Sequence, residues 1–406
     1  MQEQFDVMIA GGGMVGATAA CSLAQGGIKV ALLEQHLPDR EWQDDTVDLR
    51  VSALTLASQN ILTSVGAWPG MVRRGVSAYQ KMRVWDDRSA GELHFDSADT
   101  GYDQLGHIVE NRVTVSALWE VLENLPGVRC ICPARVVDMQ TVPEGRRLFL
   151  DDGRDFEAKL VIAADGRDSR LRKMAGIEVM GWPYQQTALV ATVSTEKSHQ
   201  NTAWQRFLAE GPLAFLPLKK GQCSIVWTLA AETAKQHLKL PDKQFLQLLE
   251  DASAGVLGTL LAVGQRATFP LRFQAARNYT AEHFVLLGDA AHAMHPLAGQ
   301  GVNAGLLDAA ALAELLVTAA QQQRPIASQR VLRRYERWRK GDNLAMAGSM
   351  DVLNKVFALS ASPLAHARAV GMNWINHSQW LKQFFNRYAM GLRADLPRLA
   401  KDFGKI

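Results

Sequence analysis

At 406 residues with 48% hydrophobic content, the chain is long enough to bury a sizeable core and, at roughly 150 residues per unit, to divide into two or three structural units. Its formal net charge of +3 comes without the concentrated basic stripe of a nucleic-acid binder, so no polyanionic partner is implied. Cys21, Cys130, Cys132 and Cys223 show no Cys-x-x-Cys pair and read as structural thiols; His292 and His295 have no third ligand at a suitable spacing, so no metal is expected.

The N-terminus carries Glu3 and Asp6 and runs straight into a strand, without the basic and cleavable segments of a signal peptide. No apolar run reaches the roughly 18 residues a spanning helix needs, which points to a cytoplasmic protein. A short apolar strand over 5–10 leads into Gly11-Gly12-Gly13-Met14-Val15-Gly16, a helical run over 17–25 and a second strand over 29–33 that closes on Glu34. This is a dinucleotide-binding βαβ signature with its context intact. Gly11 makes the tight turn, Gly13 admits a pyrophosphate, Gly16 lets the helix pack, and Glu34 suits a ribose hydroxyl pair. The pattern leaves NAD and FAD both open.

Residues 48–54 lead into a predicted helix through 62, and Arg50 there either approaches a pyrophosphate or flavin or is a surface arginine beside a helix start. Residues 106–112 precede a helix over 113–124, with polar residues as caps. Strands follow over 135–140, 147–150 and 158–163. The last ends in Asp165-Gly166, at the strand edge where open α/β sheets present ligands. Between about 180 and 280 the chain turns β-rich, with strands over 189–194, 203–208, 214–218 and 223–229 and a helix over 242–254. A mostly antiparallel sheet inserted between nucleotide-binding strands is expected, forming one wall of a substrate pocket.

An apolar strand over 284–287 then ends at Gly288-Asp289, where a ligand can meet both backbone and carboxylate. Pro296 stiffens the loop that follows, and Gly299-Gln300-Gly301 opens a helix over 302–320. Free N–H groups and the positive end of the helix dipole gather at that point, suiting a negative charge on a bound group, of which a reduced flavin is one. Arg330, Arg333, Arg334, Arg337, Arg339 and Lys340 read as a solvated helix face, with an electrostatic docking site as the alternative. In the tail Trp374, Ile375, Leu381, Phe384, Phe385 and Tyr388 recur at roughly helical spacing, for core packing, a partner helix or a membrane surface.

The glycine fingerprint with Glu34, the Asp165-Gly166 pair, and Gly288-Asp289 running on to Pro296 and Gly301 together resemble the single-component flavoprotein aromatic hydroxylases. That resemblance implies noncovalent FAD, with the first motif on its adenosine half, the second serving FAD and the reduced nicotinamide, and the third at the ribityl and pyrophosphate region. It carries cofactor-binding roles to Gly11, Gly13, Gly16, Glu34, Arg50, Asp165, Gly166, Gly288, Asp289, Gly301, Val302 and Asn303, and flavin positioning to Pro296, Gly299 and Gly301. It names no catalytic base. Leu49-Arg50-Val51-Ser52-Ala53-Leu54, the stretch over 105–111, the stretch over 295–303 and Ala389-Met390-Gly391-Leu392 are similar to the ubiquinone-biosynthesis hydroxylases. Leu189-Val190-Ala191-Thr192 and Cys223-Ser224-Ile225-Val226-Trp227 look closest to the branch acting at C5 of a 2-polyprenylphenol, while the branches acting at C1 and C6 share most motifs.

The resemblance implies an α/β fold: a Rossmann-like FAD-binding domain (1–180, returning over 281–340), an inserted, mostly antiparallel substrate sheet (181–280) and a C-terminal helical region (341–406). The implied reaction takes NAD(P)H and O2 and hydroxylates a polyprenylphenol through a flavin C4a-hydroperoxide. A dry pocket protects that species, and a prenyl tail gaining about 0.8 kcal/mol per buried CH2 positions the ring. A flavin oxidase or dehydrogenase, or a catalytically idle flavoprotein subunit, would share the FAD motifs. Because such a substrate is nearly insoluble in water, it is expected to come from a biosynthetic protein assembly or through peripheral contact with the inner membrane; a homo-oligomer is a further alternative.

Overall fold

The computed structural model describes residues 4–43, 46–89, 91–293, 300–358, 370–376, 378–392 and 395–401. Its first sheet has a parallel core in the order Phe284–Leu286, Asp155–Ala163, Gln4–Ala10, Val30–Leu33 and Val128–Ile131. Strands covered on both faces read as continuous apolar runs, and Val7 to Ala10 and Val30 to Leu33 are buried throughout. The hairpin Val136–Val142 and Gly145–Leu150 joins antiparallel to Asp155–Ala163. Helix Met14–Gln25 connects the first two strands, and its Gly16, Ala17, Ala19 and Ala20 are buried small residues that let it lie close to its neighbours. The long apolar helix Gln300–Gln321 packs beside it, with Val317 against Gly26.

The second sheet runs His292–Ala293, Leu260–Ala276, Val179–Thr195, Gln222–Ala230, Pro212–Pro217, Thr202–Phe207, Lys81–Asp86 and Glu92–Asp96. All pairings are antiparallel except Thr202–Phe207 with Lys81–Asp86. Alternation divides its faces. Leu189, Ala191, Val193, Cys223, Ile225 and Trp227 point to one side and form a core with Phe245 and Leu249 of helix Asp242–Ser253. Ala188, Val190, Ser224 and Val226 point to the other side, toward the first sheet.

The structure corrects or adds to the sequence expectations at four places. Residues 81–96, assigned to the nucleotide-binding part, are strands of the second sheet, joined by a long-range parallel pairing that no local pattern signals. The 17-residue strand Leu260–Ala276 was not anticipated, because Gly264 and Pro270 interrupt its sequence; Pro270 sits where the pairing with Val179–Thr195 shifts register. Val51–Thr55 and Gly106–Glu110 are paired strands ahead of helices Leu56–Ser64 and Asn111–Glu123. The segment Gly301–Gln321 is apolar and long enough to cross a membrane, but 78% of its apolar window is buried inside the protein, which makes it a core helix.

Candidate active site

Strand Gln4–Ala10 ends at Gly11, where φ is +106° and a Cβ would overlap the Ala164 carbonyl. A Cβ on Gly16 would overlap the Gly11 carbonyl oxygen, so helix Met14–Gln25 starts tight under the turn only because Gly16 has no side chain. Gly13 is different. Its backbone (φ −68°, ψ −175°) suits any residue, and nothing lies within 4 Å of where its Cβ would stand. The open space lies at a helix N-terminus that no described side chain caps, an arrangement that favours an anion.

Glu34 follows the second strand. Its Oε2 accepts from the Gly12 N–H at 2.5 Å and its Oε1 from the Gln35 and His36 N–H groups at 2.7 and 3.1 Å, which fixes the carboxylate at the rim of a cavity. That cavity, about 220 Å³, is also lined by Gly11, Gly13, Arg135, Asp165 and Arg170. Asp165 Oδ2 accepts from the Arg170 and Leu171 N–H groups at 2.8 and 3.2 Å, while its Oδ1 is buried with no hydrogen-bond partner among the described residues. Leaving such an acceptor bare costs about 1–3 kcal/mol, which a ligand hydroxyl or amide in the cavity would offset.

A second cavity of about 370 Å³ adjoins the first at Gly13. Strand Phe284–Leu286 leads to the 3-10 turn Gly288–Ala290, where Gly288 takes a φ of +57° and the exposed Asp289 faces this cavity. The turn is held from behind: Arg172, 3% exposed, donates to Ala290 O at 2.7 Å and to Arg167 O at 3.0 Å, so one guanidinium ties it to the loop after Asp165-Gly166. Burial pushes the Arg172 guanidinium down from its ordinary value. Gly301 and Val302, in the first turn of helix Gln300–Gln321, close the cavity on one side, and Arg50 lies over the Phe269 ring at 5.6 Å. Ala188, Val190, Ser224, Val226, Phe269 and Leu271 form the far wall. Adjoining cavities at a helix N-terminus, an orphaned carboxylate oxygen and a carboxylate beside a second helix N-terminus are features that fit FAD.

The structure thus brings Gly11, Gly13, Glu34 and Asp165 to one cavity and Gly13, Arg50, Gly166, Asp289, Gly301 and Val302 to the next. Gly16 and Gly288 shape the turns behind them. Asn303, expected at the cofactor, is not among the residues lining either cavity. Its side chain is 2% exposed, its Oδ1 accepts from the Thr55 N–H at 3.0 Å and Ser58 Oγ at 2.7 Å, and its Nδ2 donates to Ala53 O at 2.8 Å. It clamps helix Gln300–Gln321 to the strand after Arg50. Pro296 and Gly299 lie outside the described residues. The expected solvated face of the arginine-rich helix holds only in part, because Arg339 is 1% exposed and ion-paired to Asp308. The inserted sheet does form one wall of the cavity, as expected, but Arg167, Arg272 and the individual wall residues were not named, because which residues face the cavity follows from alternation only once the strand pairing is known. A larger cavity of about 760 Å³, between strand Thr280–Ala281 and the start of helix Gln329–Ala358, shares no residue with the motifs and is no part of this site.

A family model described as FAD binding domain matches residues 4–346. The ubiquinone hydroxylase UbiL of Rhodospirillum rubrum is 38% identical over 98% of this chain and 92% of its own length. The 3-demethoxyubiquinol 3-hydroxylase of Escherichia coli is 36% identical over 95% of this chain and 98% of its own. Among solved structures, p-nitrophenol 4-monooxygenase PnpA from Pseudomonas putida shares the fold with a TM-score of 0.79 at 18% identity, covering 98% of this chain and 100% of that one. The chain belongs to the FAD-binding-domain family, among its ubiquinone-biosynthesis flavoprotein hydroxylases, and is an FAD-dependent monooxygenase.

Proposed function

We propose that this protein hydroxylates the aromatic ring of a polyprenylated phenol in ubiquinone biosynthesis, at C5, with NAD(P)H and O2. The observation that carries the reading is the wall opposite Asp289, where Ala188, Val190, Val226, Phe269 and Leu271 offer a planar apolar ligand a dry face with Ser224 as its hydroxyl. Val190 and Val226 are directly paired across strands, and Ser224 lies on the same wall. The stretches 189–192 and 223–227, on which the resemblance to the C5 branch rests, therefore supply pocket residues, so the basis for proposing C5 lies in the cavity itself.

Bound FAD supplies electron transfer from the nicotinamide and activation of O2. The chain's residues do the rest. Asp289 and the N–H groups around Gly301 and Val302 hold and orient the cofactor, and the apolar wall excludes water and stacks the ring. Among the described residues lining this cavity, the charged side chains are Asp289 and the guanidiniums of Arg50, Arg167 and Arg272, so positive charge is available where a phenolate develops. Substrate delivery from a membrane belongs to the same reading. Residues 352–394 contain no Asp or Glu but do contain Lys355, Arg368, Lys382, Arg387 and Arg393, and Trp374 and Trp380 are 66% and 72% exposed. These features support docking on an anionic bilayer.

The test is product identification: FAD-loaded protein, NAD(P)H and O2 are incubated with a short-tail 2-polyprenylphenol and the product is assigned by NMR. A C5 hydroxyl is expected. Hydroxylation at C1 or C6 moves the chain to a sister branch, and no hydroxylated product from any prenylphenol refutes the substrate class.

A further inference from the structure

We propose that His292, Asp308 and Arg339 form a buried brace that sets the Asp289 turn toward FAD, with His292 a positioning residue acting through Asp308. The chain leaves the first sheet at Phe284–Leu286, makes the Gly288–Ala290 turn, and at His292–Ala293 joins the edge of the second sheet, where Ala275 pairs with His292 and Gln274 with Ala293. The FAD-facing carboxylate therefore sits midway in a short link between two sheets. Its position depends on how both ends are held.

The end at His292 is held by charge. His292 Nε2 donates to Asp308 Oδ2 at 2.5 Å, with the two side chains 2% and 0% exposed. With Asp308 as acceptor, the proton lies on Nε2; Nδ1 has no hydrogen-bond partner among the described residues. Asp308 Oδ1 accepts from Arg339 Nε at 2.8 Å and Asn343 Nδ2 at 3.1 Å. Arg339 also donates from Nη1 to Asp342 Oδ2 at 3.0 Å and from Nη2 to Asn343 Oδ1 at 3.1 Å. Asp308 stands on helix Gln300–Gln321, whose first turn supplies Gly301 and Val302 to the flavin cavity, and Arg339 and Asn343 stand on helix Gln329–Ala358. The same helix reaches the other end of the link, where Tyr335 Oη donates to Leu286 O at 3.0 Å. The Tyr279 ring faces the His292 imidazole at 6.0 Å and 30°.

Burial pushes the Asp308 carboxyl up, but the neighbouring His292 and Arg339 outweigh it and hold the carboxyl below its ordinary value, so Asp308 is an anion in the folded protein. Buried ion pairs commonly stabilise a fold no better than apolar side chains of similar volume. What they add is direction, because each bond has one geometry. Here the bonds fix the orientation of one edge strand and two helices around the turn that carries Asp289.

The inference rests on FAD occupying the cavity. Its test compares His292→Leu, which removes the donor, with His292→Gln, whose amide nitrogen reaches the place of Nε2. Readouts are the FAD Kd by flavin fluorescence, the visible circular dichroism of the bound flavin, and the melting temperature of the cofactor-free protein. His292→Leu is expected to weaken FAD binding by about tenfold, the scale on which orienting partners act at ligand sites, and to alter the flavin dichroism, while His292→Gln restores both. A wild-type Kd and spectrum in His292→Leu, or equal damage in both variants, overturns the proposal. Should His292→Leu not fold, Asn343→Ser removes one donor to Asp308 and one acceptor of Arg339 while leaving His292 and both charges; a raised FAD Kd supports the brace and an unchanged Kd, whatever the melting temperature, overturns it. Wild-type protein that binds no FAD would instead refute the premise of FAD occupancy.

Discussion

Replacing Gly13 with valine separates the cofactor cradle from the fold. The Gly13 backbone lies in a conformation open to any residue, and a Cβ there meets nothing within 4 Å, so the variant is expected to fold and melt like the wild type. The added side chain instead fills the space in front of the uncapped N-terminus of helix Met14–Gln25. Two charge-assisted hydrogen bonds from that terminus to a phosphate, at about 1.5–3 kcal/mol each, are then lost, together about 3–6 kcal/mol or two to four decades in Kd. The control is Gly16→Val, whose Cβ would overlap the Gly11 carbonyl oxygen and should destabilise the protein before any ligand is added. The assay is titration of apoprotein with FAD, followed by flavin fluorescence, beside thermal melts of both variants. Wild-type FAD affinity in Gly13→Val would refute the cradle, and a melting loss in Gly13→Val equal to that in Gly16→Val would refute the open space.

Asp289→Ala is expected to lower FAD affinity and hydroxylation together, by about tenfold or more in Kd for a lost charged hydrogen bond, and unchanged values of both would make the motif structural only. Val226→Phe intrudes on the wall opposite Asp289, so prenylphenol stimulation of NAD(P)H oxidation should fall while the FAD Kd stays put; a parallel loss of FAD would contradict the assignment of that wall to substrate. Burial pushes the His107 imidazole down to about 4 from 6.5. Between those values the unfolded chain takes up a proton that the native state refuses, so stability is full above 6.5 and declines as pH falls. Urea unfolding should show the wild type losing about 2 kcal/mol more between pH 7 and pH 5 than His107→Leu, and parallel pH curves would refute this. Trp374→Ser with Trp380→Ser should reduce co-sedimentation with anionic vesicles at intact FAD binding, and undiminished co-sedimentation would remove the bilayer role of that segment.

The glycine turn was legible in the sequence because its geometry is local: strand, turn, helix, strand and Glu34 follow one another within 34 residues, Gly11 and Gly16 each have a steric reason where they stand, and Gly13 leaves open space. The cavity wall opposite Asp289 was only half legible. Alternation in 189–194 and 223–229 revealed strands, but which face lines the cavity depends on helices Ala231–Leu238 and Asp242–Ser253 covering the other, and on Phe269 and Leu271 from a strand that Pro270 disguises. The brace was the least legible. Asp308 is a lone carboxylate in the run Gly305-Leu306-Leu307-Asp308-Ala309-Ala310, and a charge on an apolar helix face signals a buried partner. The sequence does not say which of six basic residues in 330–340 that partner is, because the choice of Arg339 follows from how two helices cross. The side-chain direction of Asn303 was not legible for a related reason: the resemblance placed it at the cofactor with Gly301 and Val302, and the helical turn carries its side chain to Thr55 and Ser58.

The most direct test of the monooxygenase reading is isotopic. FAD-loaded protein is supplied with NAD(P)H, 18O2 and a short-tail polyprenylphenol, and the rate of reductant oxidation is recorded beside the mass of the product. The expected result is oxidation accelerated by the phenol, with one 18O atom in each hydroxylated ring. Phenol-independent oxidation that yields only hydrogen peroxide, or a product whose new oxygen comes from water, would contradict it.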